Sequence, residues 1–160
     1  MKKNEETIEV LNDLIRINND RVTGYEKAAS QENQPEPDIR NLFYTLSTES
    51  RSFVNDLHAE VLRLGGVPVS GTTISGKIYL FWLDTKAGFM GGYTNNDTYS
   101  LLTAAETGED AVQQAYRHAL ESAVELPENI SRLIEKQALR LRRAHALVKK
   151  LRDARMVAKG

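Results

Sequence analysis

The stretch GGVPVSGTTISGKIYLFWLDTKAGFMGGYTN, Gly65 to Asn95, decides how this chain is read. Glycines crowd both of its ends, and only the middle, from Ile74 to Phe89, gathers Ile74, Ile78, Phe81, Trp82 and Phe89 on one helical side. The segments on either side are long and amphipathic, and a link of this size is far longer than a helical hairpin needs. It is the length required when a chain must travel from one end of a helical bundle to the other before its third long helix begins. The reading is all-α: two antiparallel helical hairpins, joined by a crossover that carries a short helix over about 74–89.

On the N-terminal side, a helix over about 37–64 carries Ile39, Phe43, Leu46, Phe53, Leu57 and Val61 on one stripe, and Gly65-Gly66 stops it. Gln31 to Pro37 holds two prolines and no periodicity, which makes a short connection to an earlier helix. That first helix, about 5–30, shows Ile8, Leu11, Ile15, Val22, Tyr25 and Ala29, with Asn4 available as its cap. Its stripe is interrupted at Asn18. Beyond the crossover, a helix over about 96–124 aligns Leu101, Ala105, Val112, Tyr116, Ala119 and Ala123, and Glu109 falls inside the stripe. Pro127 fits the first turn of a last helix, about 127–155, whose inward face takes Gln137 and His145 among Ile134, Leu141, Ala144 and Val148. Residues 1–160 read as a single domain. Asn18 with Tyr25, Ala28 and Ala29 matches Glu109 with Tyr116, Ala119 and Leu120 at a constant offset of 91, as two related hairpins would.

A chain of 160 residues can bury roughly 70% of its unfolded surface, so its core needs no crosslink or metal. It has no cysteine, which excludes disulfides, thiolate metal sites and cysteine nucleophiles. A formal net charge of −1 gives no global pull toward polyanions. The opening Met1-Lys2-Lys3 runs straight into a charged segment, and no apolar run is long enough to span a membrane, so a cytoplasmic protein is expected. No nucleophile elbow, phosphate-binding loop or dinucleotide fingerprint occurs, and no catalytic residue is assigned.

Several stretches together carry a family likeness: Ile8-Glu9-Val10-Leu11-Asn12-Asp13-Leu14-Ile15, then Gly24-Tyr25 with Ala28-Ala29, then Glu60-Val61-Leu62-Arg63-Leu64-Gly65-Gly66-Val67-Pro68. Glu106-Thr107-Gly108-Glu109-Asp110 with Tyr116, and His145 with Leu151-Arg152-Asp153, continue it to the end. With these stretches the chain resembles a family of bacterial proteins of unassigned function described as ferritin-like four-helix bundles. The resemblance implies a ferritin-like antiparallel four-helix bundle, and loosely a role in bacterial stress physiology.

A working di-iron bundle needs a carboxylate from each of two helices and a Glu-x-x-His pair from each of the other two. No Glu-x-x-His occurs here. Helical phase places Asn18, the pair Ser50 and Phe53, Glu109, and the pair Leu141 and Ala144 at the expected ligand positions, so the site reads as eroded. One expectation is a polar core cluster of Asn18, Glu109, Gln137 and His145, with Arg142 as a candidate cation for Glu109 and no cofactor. The alternative is a vestigial site in which Glu109, His145 and Glu49 hold one iron or another divalent metal ion.

Two surfaces carry further expectations. Lys136 to Lys159 holds nine lysines and arginines against Asp153, a formal +8, which opens a nucleic-acid reading through the last helix. Helix-dipole stabilisation by terminal cations is the structural alternative. The aromatic crossover, with Tyr79, Phe81, Trp82, Phe89 and Tyr93, either packs on its own bundle or forms a homodimer interface.

Overall fold

A computed structural model of the chain describes residues 2–30, 35–69, 77–83, 97–122 and 124–159. Its elements are α1 (Lys2–Ala29), α2 (Pro37–Arg63), α3 (Lys77–Leu83), α4 (Thr98–Glu121) and α5 (Glu128–Lys159). The described residues are helical apart from turns and short links, so the fold is all-α.

Local chemistry fixes the helix ends. Pro37 opens α2, where its missing N–H costs nothing. The helix closes in a Schellman turn: Gly66 N–H donates to the Val61 carbonyl at 2.9 Å and Gly65 N–H to that of Leu62 at 3.0 Å. Gly65 takes φ +81°, and a Cβ on Gly66 would stand 2.8 Å from Ile8 Cδ1, so each glycine has its own reason. Asp97 caps α4 by accepting from the Ser100 N–H at 2.9 Å. Two expected termini differ. Since α1 begins at Lys2, Asn4 lies inside its first turn and is not its cap, and Pro127 sits just before α5 with its carbonyl accepting from Ile130 and Ser131.

Chain direction follows from which side chains meet. Asn18 meets Ser50, Arg21 meets Leu46, and Tyr25 meets Phe43, so α1 and α2 are antiparallel. The pairs Asn18–Tyr116 and Arg21–Glu109 give the same sense for α1 and α4. Glu106–His145 with Tyr116–Gln137 does so for α4 and α5, and Phe53–Gln137 with Glu60–Asn129 for α2 and α5. Helices α2 and α4 are both antiparallel to α1, so they run the same way. The chain must therefore return the length of α2, about 40 Å at 1.5 Å per residue, before α4 can begin.

The return path explains a feature that one stripe does not. Every residue of α1 from Val10 to Asn18 is buried, because α2 and α4 cover one side and α3 covers the other. Polar side chains on the covered side anchor the crossover. The Asn12 side chain donates to the Val67 carbonyl and accepts from the Val69 N–H, each at 3.2 Å. Asp13 accepts the Tyr79 N–H at 3.1 Å, and Asp20 accepts Trp82 Nε1 at 2.9 Å and the Tyr79 hydroxyl at 3.2 Å. Arg16, paired with Asp13 at 2.8 Å, lies 5.9 Å from the Tyr79 ring centre. Trp82 is fully buried against its own chain, a contribution of about 2–3 kcal/mol. Ile74, Phe89, Tyr93, Ala123 and the Phe81 side chain, to which the sequence also assigned packing, lie outside the described residues.

Candidate functional site

Asn18, Arg21 and Tyr25 stand three and four residues apart on α1, which puts them on one face, one above another. Glu49 and Ser50 of α2, Glu109 and Tyr116 of α4, and Gln137 of α5 approach the same level of the core. Seven of the eight are buried; Glu49 keeps 19% of its side chain exposed, at the edge.

The centre is Arg21. Its Nε donates to Glu109 Oε1 at 2.6 Å and its Nη2 to Oε2 at 3.2 Å, a two-pronged contact. Nη1 is shared among Ser50 Oγ at 2.9 Å, Glu49 Oε1 at 3.1 Å and the Leu46 carbonyl at 3.2 Å. The Tyr25 hydroxyl donates to Glu109 Oε1 at 2.8 Å, and the Arg21 guanidinium lies 5.4 Å from the Tyr25 ring centre. From this centre the network continues. Ser50 donates to Asn18 Oδ1 at 2.8 Å, Asn18 donates to the Tyr116 hydroxyl at 2.8 Å, and Tyr116 donates to Gln137 Oε1 at 2.6 Å. Gln137 Nε2 closes the path on the Phe53 carbonyl at 3.3 Å. All four long helices are thereby tied together through satisfied polar groups.

The electrostatics follow from burial and one cation. Burial works against the Arg21 charge, but Glu109, Tyr25 and Glu49 beside it outweigh that and hold its pKa above the ordinary value. Burial raises Tyr25 well above the usual phenol range, and the Glu109 carboxylate adds to it, so Tyr25 is a neutral donor. Burial likewise raises Tyr116 and Glu49, with Arg21 pulling Glu49 back toward its ionised form.

Of the residues singled out from sequence, Asn18, Glu109 and Gln137 come together in this network, and Glu49 joins it through Arg21. His145 stands apart. It is half-buried between α4 and α5, with Nε2 at 2.9 Å from Glu106 Oε1, while Arg152 holds Glu106 Oε2 at 3.3 Å. The reason is helical phase: one residue beyond the buried Ala144, position 145 is turned by about 100° toward α4. Arg142 is exposed, so the cation beside Glu109 is Arg21, which the sequence reading passed over. Its spacing from Asn18 and Tyr25 was the available signal. Ser50 supplies its hydroxyl, Phe53 only its carbonyl, and Leu141 and Ala144 are apolar packing.

These residues do not fit a metal pair. Both Glu109 oxygens and one Glu49 oxygen already accept from the guanidinium, and among the described residues no three of His, Cys, Asp and Glu are grouped to hold a metal ion.

A family model described as "Domain of unknown function (DUF2383)" matches residues 6–122. The chain belongs to this family. The DUF2383 match takes in Asn18, Arg21, Glu49, Ser50, Glu109 and Tyr116, and ends before α5, which brings Gln137. No curated protein matches the chain. No helix among the described residues is long and apolar enough to cross a membrane.

Proposed function

We propose that this chain is a ferritin-like four-helix bundle with a structural or interaction role, and that it is not a metalloenzyme. The observation that carries the reading is the Arg21 guanidinium lodged between Glu109 and Glu49. One tethered positive charge occupies the oxygens on which a metal-dependent reaction would depend, and a buried guanidinium does not dissociate as an ion does. The parallel course of α2 and α4, with a crossover between them, supports the ferritin-like topology. Elemental analysis of protein purified without chelator tests the reading. It expects only trace iron, manganese and zinc; a stoichiometric metal ion would overturn it.

A second reading rests on α5. Lys136, Arg140, Arg142, Arg143, Lys149 and Lys150 are all exposed, and Arg140 also acts electrostatically on Glu49. Lys136, Arg140, Arg143 and Lys150 fall on one stripe about 21 Å long, a spacing that suits a polyanion. Binding of duplex DNA that weakens steeply with salt would favour this reading; no retention at low salt would remove it.

A further inference from the structure

We propose that the core of this protein is a cation cradle whose occupant is the chain's own Arg21, so that a chain lacking that guanidinium would take up an external cation in its place. The proposal rests on the reading that Arg21, and not a metal, balances the core, and deepens it by naming what the cradle itself recognises.

Five oxygen atoms converge on the guanidinium: both of Glu109, Oε1 of Glu49, Oγ of Ser50 and the Leu46 carbonyl, at 2.6 to 3.2 Å. They come from two helices, α2 and α4, and none is supplied by α1, which brings the cation together with Tyr25 and Asn18. Removing the guanidinium therefore deletes none of the acceptors. Two further contacts keep them in place without Arg21. Tyr25 still donates to Glu109 Oε1, and Asn18 still accepts from Ser50. Withdrawal of the guanidinium leaves two carboxylates and two neutral oxygens in a buried position, a charge that must be protonated or matched. An all-oxygen set selects hard divalent ions such as Mn2+ or Ca2+, and its existing fit selects alkylguanidinium. Glu49 stands at the edge of the core, one side chain from water, which gives the external cation a way in.

The test is the full-length Arg21→Ala chain, with Arg21→Ala/Glu109→Gln as the control, titrated with Mn2+ and with ethylguanidinium, which supplies the deleted atoms. Bound Mn2+ is read by electron paramagnetic resonance, and stability by thermal melting. Arg21→Ala is expected to bind stoichiometric Mn2+ and to gain about 5 °C or more in melting temperature from a saturating cation. The original protein and the double variant are expected to do neither. Should Arg21→Ala be unfolded in plain buffer, recovery of helix on refolding with either cation gives the same answer. The proposal is overturned if Arg21→Ala, folded or refolding, responds to neither cation more than the double variant does. Metal found in the original protein would fail the functional reading alone, because the variant's response is measured separately.

Discussion

Arg21 and Glu109 face each other at 2.6 Å across the centre of the protein, both fully buried, one from α1 and one from α4. The contact is two-pronged and the same Glu109 oxygen also receives Tyr25, so both carboxylate oxygens are committed. Desolvating two charges is costly, and only their mutual hydrogen bonds offset it. Removing one partner alone should therefore hurt far more than removing both.

Arg21→Met keeps most of the side-chain volume and removes the charge. Urea unfolding should show a loss of about 3–5 kcal/mol, because Glu109 and Glu49 are left without their cation. The double change Arg21→Met/Glu109→Leu should cost less than Arg21→Met by itself. Equal or greater loss in the double variant would deny the coupling.

Asp13 supplies the pH dependence. Burial, the largest influence, raises its pKa to about 6, against the lowering effects of the Tyr79 N–H and Arg16. An acid whose folded pKa exceeds its unfolded one binds its proton more tightly when folded. Its contribution to stability is accordingly largest at low pH and is lost as pH rises from about 4 to about 6. Melting temperatures of Asp13→Asn should decline less over that window than those of the original. Parallel pH profiles would contradict the assignment.

Asp20 tethers the crossover by accepting from both Trp82 Nε1 and the Tyr79 hydroxyl. Since Trp82 is the sole tryptophan, its fluorescence reports directly on the docking of α3. Asp20→Ala should shift the emission to the red, raise its quenching by acrylamide, and cost about 1–3 kcal/mol through stranded donors. An unchanged spectrum would mean that Asp20 does not hold Trp82 in its place.

How much of this was legible in the sequence depends on whether a residue acts along its own helix or across to another element. Asn18, Glu109 and Gln137 were visible as polar breaks in apolar stripes, and the Gly65 to Asn95 link announced the crossover by its length. Arg21 was not, because an arginine beside Val22 reads as the flank of a stripe; only the carboxylates of α2 and α4 make it a core residue. Asn12, Asp13 and Asp20 were equally silent, since α3 and the segment before it, and not α1, cover them. His145 was read one step wide of the core, within the error of counting turns along a long helix.

Turn chemistry gives an independent check on the α2 terminus. Gly65 holds φ +81° with nothing near a would-be Cβ, so Gly65→Ala should cost about 1 kcal/mol by backbone strain alone. Gly65→Asn should recover part of the loss, since Asn tolerates that conformation better. Ala and Asn variants of equal stability to the original would remove the left-handed turn from the account.

The most direct measurement is thermal unfolding of the original protein and of Glu109→Gln, each with and without a strong chelator. With Arg21 as the partner of Glu109, the chelator should leave both melting curves where they are. Glu109→Gln should be less stable by about 1–3 kcal/mol, because a charge-assisted contact is lost and Arg21 is left partly unpaired. A chelator that lowers the melting temperature of the original and leaves Glu109→Gln unmoved would show a metal on Glu109 and contradict the account.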